Sequence, residues 1–384
     1  MQEERNALAH VVWELTLRCD LACGHCGSRA GKKRADELTT DECLDVVRQL
    51  AEMGAKEVSL IGGEAYLRED WDVIAGAIVD RGMACSMVSG GRGFDDARAE
   101  RAARAGVSSI SISIDGMAAA HDKQRGLLGS FASAVASMNS IRRAGVGITA
   151  NSQLNKLSVP DLDAMLDLFV ENRVEAWQVA LTVPMGRAAD RPEWLLQPSD
   201  LLDLFPKLAA LSERGAKHNL RLVPGNNVGY FGPHERELRS RAFLGAMEHY
   251  DGCIAGVTLL GIEADGAIKG CPSLPTSAYV GGNVRDRSIR EIWEQTKELS
   301  FARSDDRASE LWGFCGDCYY KSVCKGGCSW TAHVFFGKRG NNPYCHHRAL
   351  EHAKRGQRER LVPLSRAPGV PFDHGRFDIV VEPT

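Results

Sequence analysis

Two hydrophobic periods alternate along residues 11 to about 225. Short runs rich in β-branched and apolar residues read as strands: VVWELTL at 11–17, EVSLIGG at 57–63, MACSMVSGG at 83–91, VSSISISIDG at 107–116, VGITANSQL at 146–154 and VEAWQVALTV at 174–183. Stretches with helical spacing lie between them. The first, TTDECLDVVRQLAEMGA, opens on Thr39 or Thr40 as a cap and carries a stripe of Leu44, Val47, Leu50 and Met53. WDVIAGAIVDRG, DDARAERAARAG, SFASAVASMNSIRRAG and VPDLDAMLDLFVENR follow, and a further helix is predicted at about 199–216, leading to NLRLVPG. Strands separated by such helices predict right-handed βαβ units on a parallel sheet. Six units predict a barrel, complete or open, with its chemistry at the carboxyl ends of the strands.

From about Gly252 the alternation stops. Glycines and cysteines multiply, and one helix stands out, SIREIWEQTKELS. This predicts a smaller second domain held together by something other than a large apolar core. The tail after Leu361 is rich in proline and glycine and is expected to be loosely ordered. EHAKRGQRER reads as an exposed helix face. The expected division is an N-terminal extension at 1–10, the barrel at 11–230, the cysteine-rich domain at 231–362 and a tail at 363–384.

Composition changes this picture little. Of 384 residues, 44% are apolar and 25% charged, with a net charge of −3, which gives no reason to expect nucleic-acid binding. The N-terminus carries no secretory pattern and no run approaches a membrane span, so a cytoplasmic location without membrane contact is expected.

The cysteines change it more. There are twelve, and ten fall into two groups, one near each end. Reduced, clustered thiols point to metal or redox chemistry. Cys19, Cys23 and Cys26 form C-x3-C-x2-C on the loop that leaves the carboxyl end of the first strand. Three thiolates hold three irons of a [4Fe–4S] cube and leave the fourth open, whereas a closed structural site wants four ligands. A zinc loop that borrows a distant fourth ligand is the alternative. The second group reads C-x12-G-x4-C at Cys253, Gly266 and Cys271, then C-x2-C-x5-C-x3-C at Cys315, Cys318, Cys324 and Cys328, then Cys345. A zinc ribbon is the alternative here too, but seven thiols do not divide into two sites of four cysteines each.

The segment CDLACGHC resembles the cluster motif of radical S-adenosylmethionine (SAM) enzymes, with His25 at the usually aromatic position. Gly62, Gly63 and Glu64 resemble the family's GGE motif, which receives the amino group of SAM. SISIDG resembles the fourth-strand segment near the ribose, with Ser113 and Asp115 as candidates, and HDKQRGLLGSF and VPMGRA also resemble recurrent family segments. Ala65 stands where the family usually has proline, and Ser89, Gly90 and Gly91 stand where its third strand often ends in TNG. The seven C-terminal cysteines, with GGNVRDRSIREIWEQ, resemble the SPASM extension, which carries auxiliary [4Fe–4S] clusters. The resemblance implies an α/β fold, a partial (β/α)6 radical-SAM barrel followed by a small SPASM domain. It implies one SAM-binding cluster and two auxiliary clusters. By the family's interleaved pattern Cys253, Cys271 and Cys328 hold one auxiliary cluster, and Cys315, Cys318, Cys324 and Cys345 the other. The first then lacks a fourth cysteine, leaving its last iron open or held by another residue.

The implied chemistry is reductive cleavage of SAM to methionine and a 5′-deoxyadenosyl radical, which abstracts hydrogen from a C–H bond. Enzymes with this domain pairing commonly crosslink, epimerise, excise from or oxidise peptides. The expected partners are therefore a ribosomally made precursor peptide, a separate leader-binding protein and a reductant such as flavodoxin or ferredoxin. Sulfatase-maturing relatives carry an aspartate just after the second cysteine of C-x12-G-x4-C. Pro272 stands there, which argues against that activity. A radical enzyme acting on a small molecule and a non-catalytic iron–sulfur carrier are the other readings. Cys43 and Cys85 read as core residues, with an epimerase thiol as the minor alternative, and the histidines of HHR at 346–348 read as solvated. Tyr66, Arg68, Gln153 and Gln178 are candidate substrate contacts.

Overall fold

The computed structural model describes residues 7–384; of the expected extension at 1–10, residues 1–6 lie outside them. Seven parallel strands run in chain order: β1 (His10–Thr16), β2 (Glu57–Gly62), β3 (Ala84–Ser89), β4 (Ser109–Ser113), β5 (Gly147–Leu154), β6 (Ala176–Leu181) and β7 (Arg221–Pro224). Helices follow the strands, as an open α/β barrel requires. Helix Thr40–Glu52 starts on a reciprocal cap, in which the Thr39 hydroxyl accepts from the Glu42 amide and the Glu42 carboxylate accepts from the Thr39 amide. Its buried face is Cys43, Val46, Val47 and Leu50, which keeps Val47 and Leu50 of the predicted stripe and replaces the other two. Leu44 and Met53 are only half-buried because a helix lying on a sheet buries a broader arc than a strict repeat marks.

The second part of the chain does not form a separate body around its own sheet. β8 (Leu259–Ile262) pairs parallel with β1, and β9 (Ala267–Lys269) and β10 (Val280–Asn283) extend the same ten-stranded sheet antiparallel. β8 thereby satisfies the main-chain groups that an open barrel leaves bare on β1. The apolar core is continuous as well: Trp13, Trp71 and Trp177 of the barrel belong to one cluster with Ile268, Ile292, Val334 and Phe335.

The tail is ordered, against expectation. β11 (Gln357–Ser365) and β12 (Arg376–Pro383) form an antiparallel hairpin whose Leu361 and Phe377 are buried. EHAKRGQRER is not one helix face. Its helix ends at Ala353, Gly356 takes a positive φ of 63°, and the rest is β11, with Arg358 and Arg360 paired to Glu382. Burial after Gly356 alternates with a period of two, Glu359 and Leu361 inward and Arg358 and Arg360 outward, as in a strand with one face in water. Among the described residues no helix is long and apolar enough to cross a membrane.

Phe377 meets Phe335 edge-on at 5.4 Å between ring centroids. Phe377→Ala is expected to destabilise the cluster-free protein by about 3 kcal/mol in urea unfolding. A loss under about 0.5 kcal/mol would mean that the tail is not docked on the core.

Candidate functional site

The carboxyl end of β1 opens into the loop that bears Cys19, Cys23 and Cys26. Gly31 N–H donates to the Leu17 carbonyl and Cys19 N–H to the Gly31 carbonyl, both at 3.0 Å, which ties the two ends of the loop together. Each sulfur has its own donor. Leu21 N–H reaches Cys19 Sγ at 3.4 Å, Ala30 N–H reaches Cys26 Sγ at 3.4 Å, and Arg125 Nη1 reaches Cys23 Sγ at 3.7 Å. Arg187, from the VPMGRA segment, holds the loop's main chain by donating to the Cys23 carbonyl at 2.6 Å and the Ala30 carbonyl at 3.1 Å.

Arg125 is fully enclosed and belongs to a buried ion group. Its Nη2 lies 2.5 Å from Asp115 Oδ2, and His25 Nε2 lies 3.1 Å from the same oxygen. Asp115 Oδ1 accepts from Gln153 N–H at 2.7 Å. Burial opposes the charge on Asp115, but Arg125, then His25, hold its carboxyl well below the usual carboxylate range. His121, which accepts from Asp115 N–H at 3.2 Å, is pushed down to about 4 by burial and by Arg125 and is neutral at pH 7. Asp115 thus uses both oxygens inside the protein, while Ser113 and Gly62 line the open cavity beside it.

Gly63 and Glu64 lie behind the cavity wall, against the cluster loop. A Cβ on Gly62 would stand 2.1 Å from the Thr16 carbonyl oxygen, and one on Gly63 2.1 Å from that of Arg18, so both positions need glycine. Glu64 is 2% exposed, accepts from Gly90 N–H at 2.6 Å and Ser89 Oγ at 2.8 Å, and has a carboxylate oxygen within 4.8 Å of Cys19 Sγ. Burial pushes it up to about 7 against those two hydrogen bonds. The serine and glycines at the end of β3, a departure from the family's usual TNG, are what hold this carboxylate.

A cavity of about 430 Å3 opens beside Cys26, His25 and Arg125. Its walls run on into a second space of about 350 Å3, which shares Val12, Gln153, Gln178 and Trp330 and reaches Cys253, Cys271 and Cys328. The period of two on β5 and β6 turns Trp177, Val179, Ala150 and Leu154 into the core. The same period leaves Asn151, Gln153 and Gln178 facing this lumen, with Asn151 and Gln178 side by side in register. Cys315, Cys318, Cys324 and Cys345 come together elsewhere, around an apolar cleft of about 20 Å3 walled by Tyr230, Phe231, Phe314 and Tyr320.

Zinc holds sulfurs at about 2.3 Å in a tetrahedron, which places them under about 4 Å from one another. Among the described residues no three cysteine sulfurs lie within 4.8 Å. The sulfurs stand farther apart than a closed tetrahedral zinc site needs. Thiol acidity does not separate the two kinds of cysteine. Burial pushes Cys19, Cys324 and Cys328 up to about 12, and Cys43 and Cys85 as well. Cys43 and Cys85 pack in the core and line neither cavity, so neither sits where a thiol returning hydrogen to substrate must be. Tyr66 and Arg68 are also outside the cavities: Tyr66 is buried against Phe94, and Arg68 pairs with Asp70. His346 is not solvated; it is 2% exposed and stacks on Phe205 at 4.5 Å. Sequence reasoning missed Arg125, Arg187, Tyr250 and Trp330, though Arg125 lies four residues after His121 in a segment already marked by resemblance.

Residues 13–154 match the Radical SAM superfamily, and residues 253–319 match SPASM, an iron–sulfur cluster-binding domain. The AdoMet-dependent heme synthase of Methanosarcina barkeri is 30% identical over 355 residues, covering 89% of this chain and 97% of that protein. The mycofactocin maturase of Mycobacterium tuberculosis is 28% identical over 379 residues, covering 97% and 90%. The structure of Streptococcus suis SuiB bound to precursor peptide SuiA superposes with a TM-score of 0.67 at 16% identity, covering 89% of this chain and 76% of that one. The chain belongs to the radical SAM enzymes that carry a SPASM extension. Its cofactors are accordingly SAM and [4Fe–4S] clusters, on a partial α/β barrel with a cysteine-rich C-terminal part.

Gly63→Ala is expected to push the main chain apart between β2 and the cluster loop, at about 2 kcal/mol or more. SAM affinity of the reconstituted protein, by equilibrium dialysis, should fall about tenfold or more. Unchanged affinity would contradict the close fit at this position.

Proposed function

We propose that the chain modifies a ribosomally made peptide by hydrogen abstraction. The observation that carries this reading is the chemistry of the lumen. Beyond the cluster end, where Arg125 is already paired with Asp115, the described residues in the walls of both spaces are neutral, with His10 the one further ionisable side chain among them apart from the cysteines and Tyr250. Asn151, Gln153 and Gln178 each offer donors and an acceptor, which suits peptide amides and neutral side chains. An iron tetrapyrrole bearing several carboxylates, the kind of molecule named in the heme-synthase relatives, finds no free cation there among the described residues, and unpaired buried carboxylates are costly. The relatives also include a mycofactocin maturase and, at the level of fold, SuiB with its precursor peptide.

In this reading Cys19, Cys23 and Cys26 would hold the SAM-binding cluster, which, charged by a reductant such as flavodoxin or ferredoxin, would supply the electron for reductive cleavage of SAM. Glu64, beside Cys19, would receive the amino cation of SAM, Gly63 keeps β2 close enough to the cluster loop for that, and Gly62 and Ser113 would face the methionine end and the ribose from the cavity wall. Arg125 offsets the charge of the Cys23 thiolate while Asp115 and His25 fix its direction. The cavity walls exclude water from the radical's path. Cys253, Cys271 and Cys328 hold one auxiliary cluster at the inner end of the lumen, and Cys315, Cys318, Cys324 and Cys345 hold the other in the apolar cleft. A leader is gripped by the barrel rim or by a separate leader-binding protein.

The test is anaerobic turnover with SAM and dithionite, in parallel with a short peptide encoded beside this gene and with iron-coproporphyrin III. The peptide should raise 5′-deoxyadenosine formation by about tenfold and change mass by whole hydrogens or lose a fragment. Consumption of the tetrapyrrole, with the peptide untouched, would contradict the reading.

A further inference from the structure

The two auxiliary sites differ in the groups that face their sulfurs. At the first, Ser273 lines the same space as Cys271, two residues away along the chain, and Thr331, three residues after Cys328, is fully buried with its hydroxyl unpartnered. Tyr250 lies in the wall of the same space. It is 3% exposed, and its hydroxyl is buried without a partner. The ring cannot swing away: Tyr230 meets it edge-on at 4.8 Å, Arg239 lies 5.2 Å over it, and its N–H donates to Glu235 Oε1 at 2.9 Å. A buried hydroxyl with nothing to bond to is costly, so its presence marks an acceptor that belongs there.

At the second site, Cys315, Cys318, Cys324 and Cys345 face Tyr230, Phe231, Phe314 and Tyr320, and among the described residues no serine or threonine lines that cleft. The Tyr230 hydroxyl is committed to the Asn226 carbonyl and Cys328 N–H, and Tyr320 stacks on Phe231 at 4.4 Å. Lys321 and His347 also line the second cleft, but Lys321 is exposed and donates to the Gly316 carbonyl at 3.0 Å, so water screens its charge. Arg348 is neutralised by Glu359 at 2.7 Å, and near the first site Lys269 is neutralised by Glu263 at 2.6 Å.

Reduction potential rises with fewer anionic ligands, more hydrogen bonds to sulfur and a more polar surrounding. All three act in one direction here: three cysteines against four, hydroxyl donors against none, and a polar lumen against a dry aromatic cleft. We propose that Tyr250, Ser273 and Thr331 form a hydroxyl collar that sets the cluster of Cys253, Cys271 and Cys328 at a more positive potential than the cluster of Cys315, Cys318, Cys324 and Cys345. The cluster beside the substrate is then the better electron acceptor, and electrons resting on the outer cluster run inward. Tyr250 is a positioning residue that acts through the sulfurs. The inference rests on the cysteine grouping given above but needs no organic substrate.

The experiment is an EPR-monitored redox titration of the full chain carrying Cys19→Ala, Cys23→Ala and Cys26→Ala, reconstituted to about eight irons per chain. Two midpoints should appear, and Cys271→Ala should remove the more positive one. Tyr250→Phe and Ser273→Ala should each move that midpoint to more negative values and leave the other in place. Should Tyr250→Phe fail to hold iron, Ser273→Ala and Thr331→Val decide by the same readout. A single midpoint, the reverse order, or midpoints unmoved by the hydroxyl variants at full iron content would overturn the proposal. An iron content of about four in the starting protein would overturn the grouping itself.

Discussion

Asp115, Arg125 and His25 meet at one carboxylate oxygen with almost no contact with water, and the working end of the barrel is organised around that contact. Removing such charges from water is costly unless geometry and hydrogen bonds compensate. Here they do. Asp115 comes from the end of β4 and is fixed by an amide from β5, Arg125 comes from the last turn of helix Ala118–Arg125, and His25 comes from the cluster loop. One interaction therefore locks two strands, a helix and the loop that carries three thiolates. It also places a cation beside Cys23, where negative charge accumulates. Losing Asp115 would leave Arg125 and His25 buried without their shared carboxylate.

The sheet carries this order into the C-terminal part. Because β8 pairs with β1, the strand that launches the cluster loop also supports the segment between Cys253 and Cys271. The tail adds a second tie on the opposite side: Arg29, two residues before Gly31, pairs with Asp190 at 2.7 Å and with Asp373 of the tail at 2.8 Å. Cluster loop, VPMGRA segment and tail therefore close on one another. The lumen that results is bounded by cysteines at both ends and by neutral amides between them, which makes substrate recognition a matter of hydrogen bonding and shape rather than charge.

Much of this was legible in the residues. Cysteine spacing, GGE and the alternation of strand and helix are local signals, and local signals survive in one dimension. Thr39, one of the two cap candidates, caps its helix together with Glu42. The failures have a common cause, which is distance along the chain. Arg125 stands 102 residues from the sulfur it faces, so nothing beside it marks it as a cluster residue. His346 looks solvated beside His347 until Phe205, from another helix, covers it. The tail's prolines and glycines hid a hairpin whose order comes from Phe335 rather than from its own composition. EHAKRGQRER has charges that fit helix and strand alike, and Gly356 decides between them.

The most direct measurement is the rate of 5′-deoxyadenosine formation by Asp115→Asn protein without added substrate, with iron content and thermal midpoint recorded beside it. The neutral amide keeps the shape of the carboxylate and removes the charge that aims Arg125 and His25. The account predicts full iron content with a rate lower by about two orders of magnitude, as expected when a positioning contact is lost. A rate equal to that of the unaltered enzyme would contradict the central role given to this buried ion group.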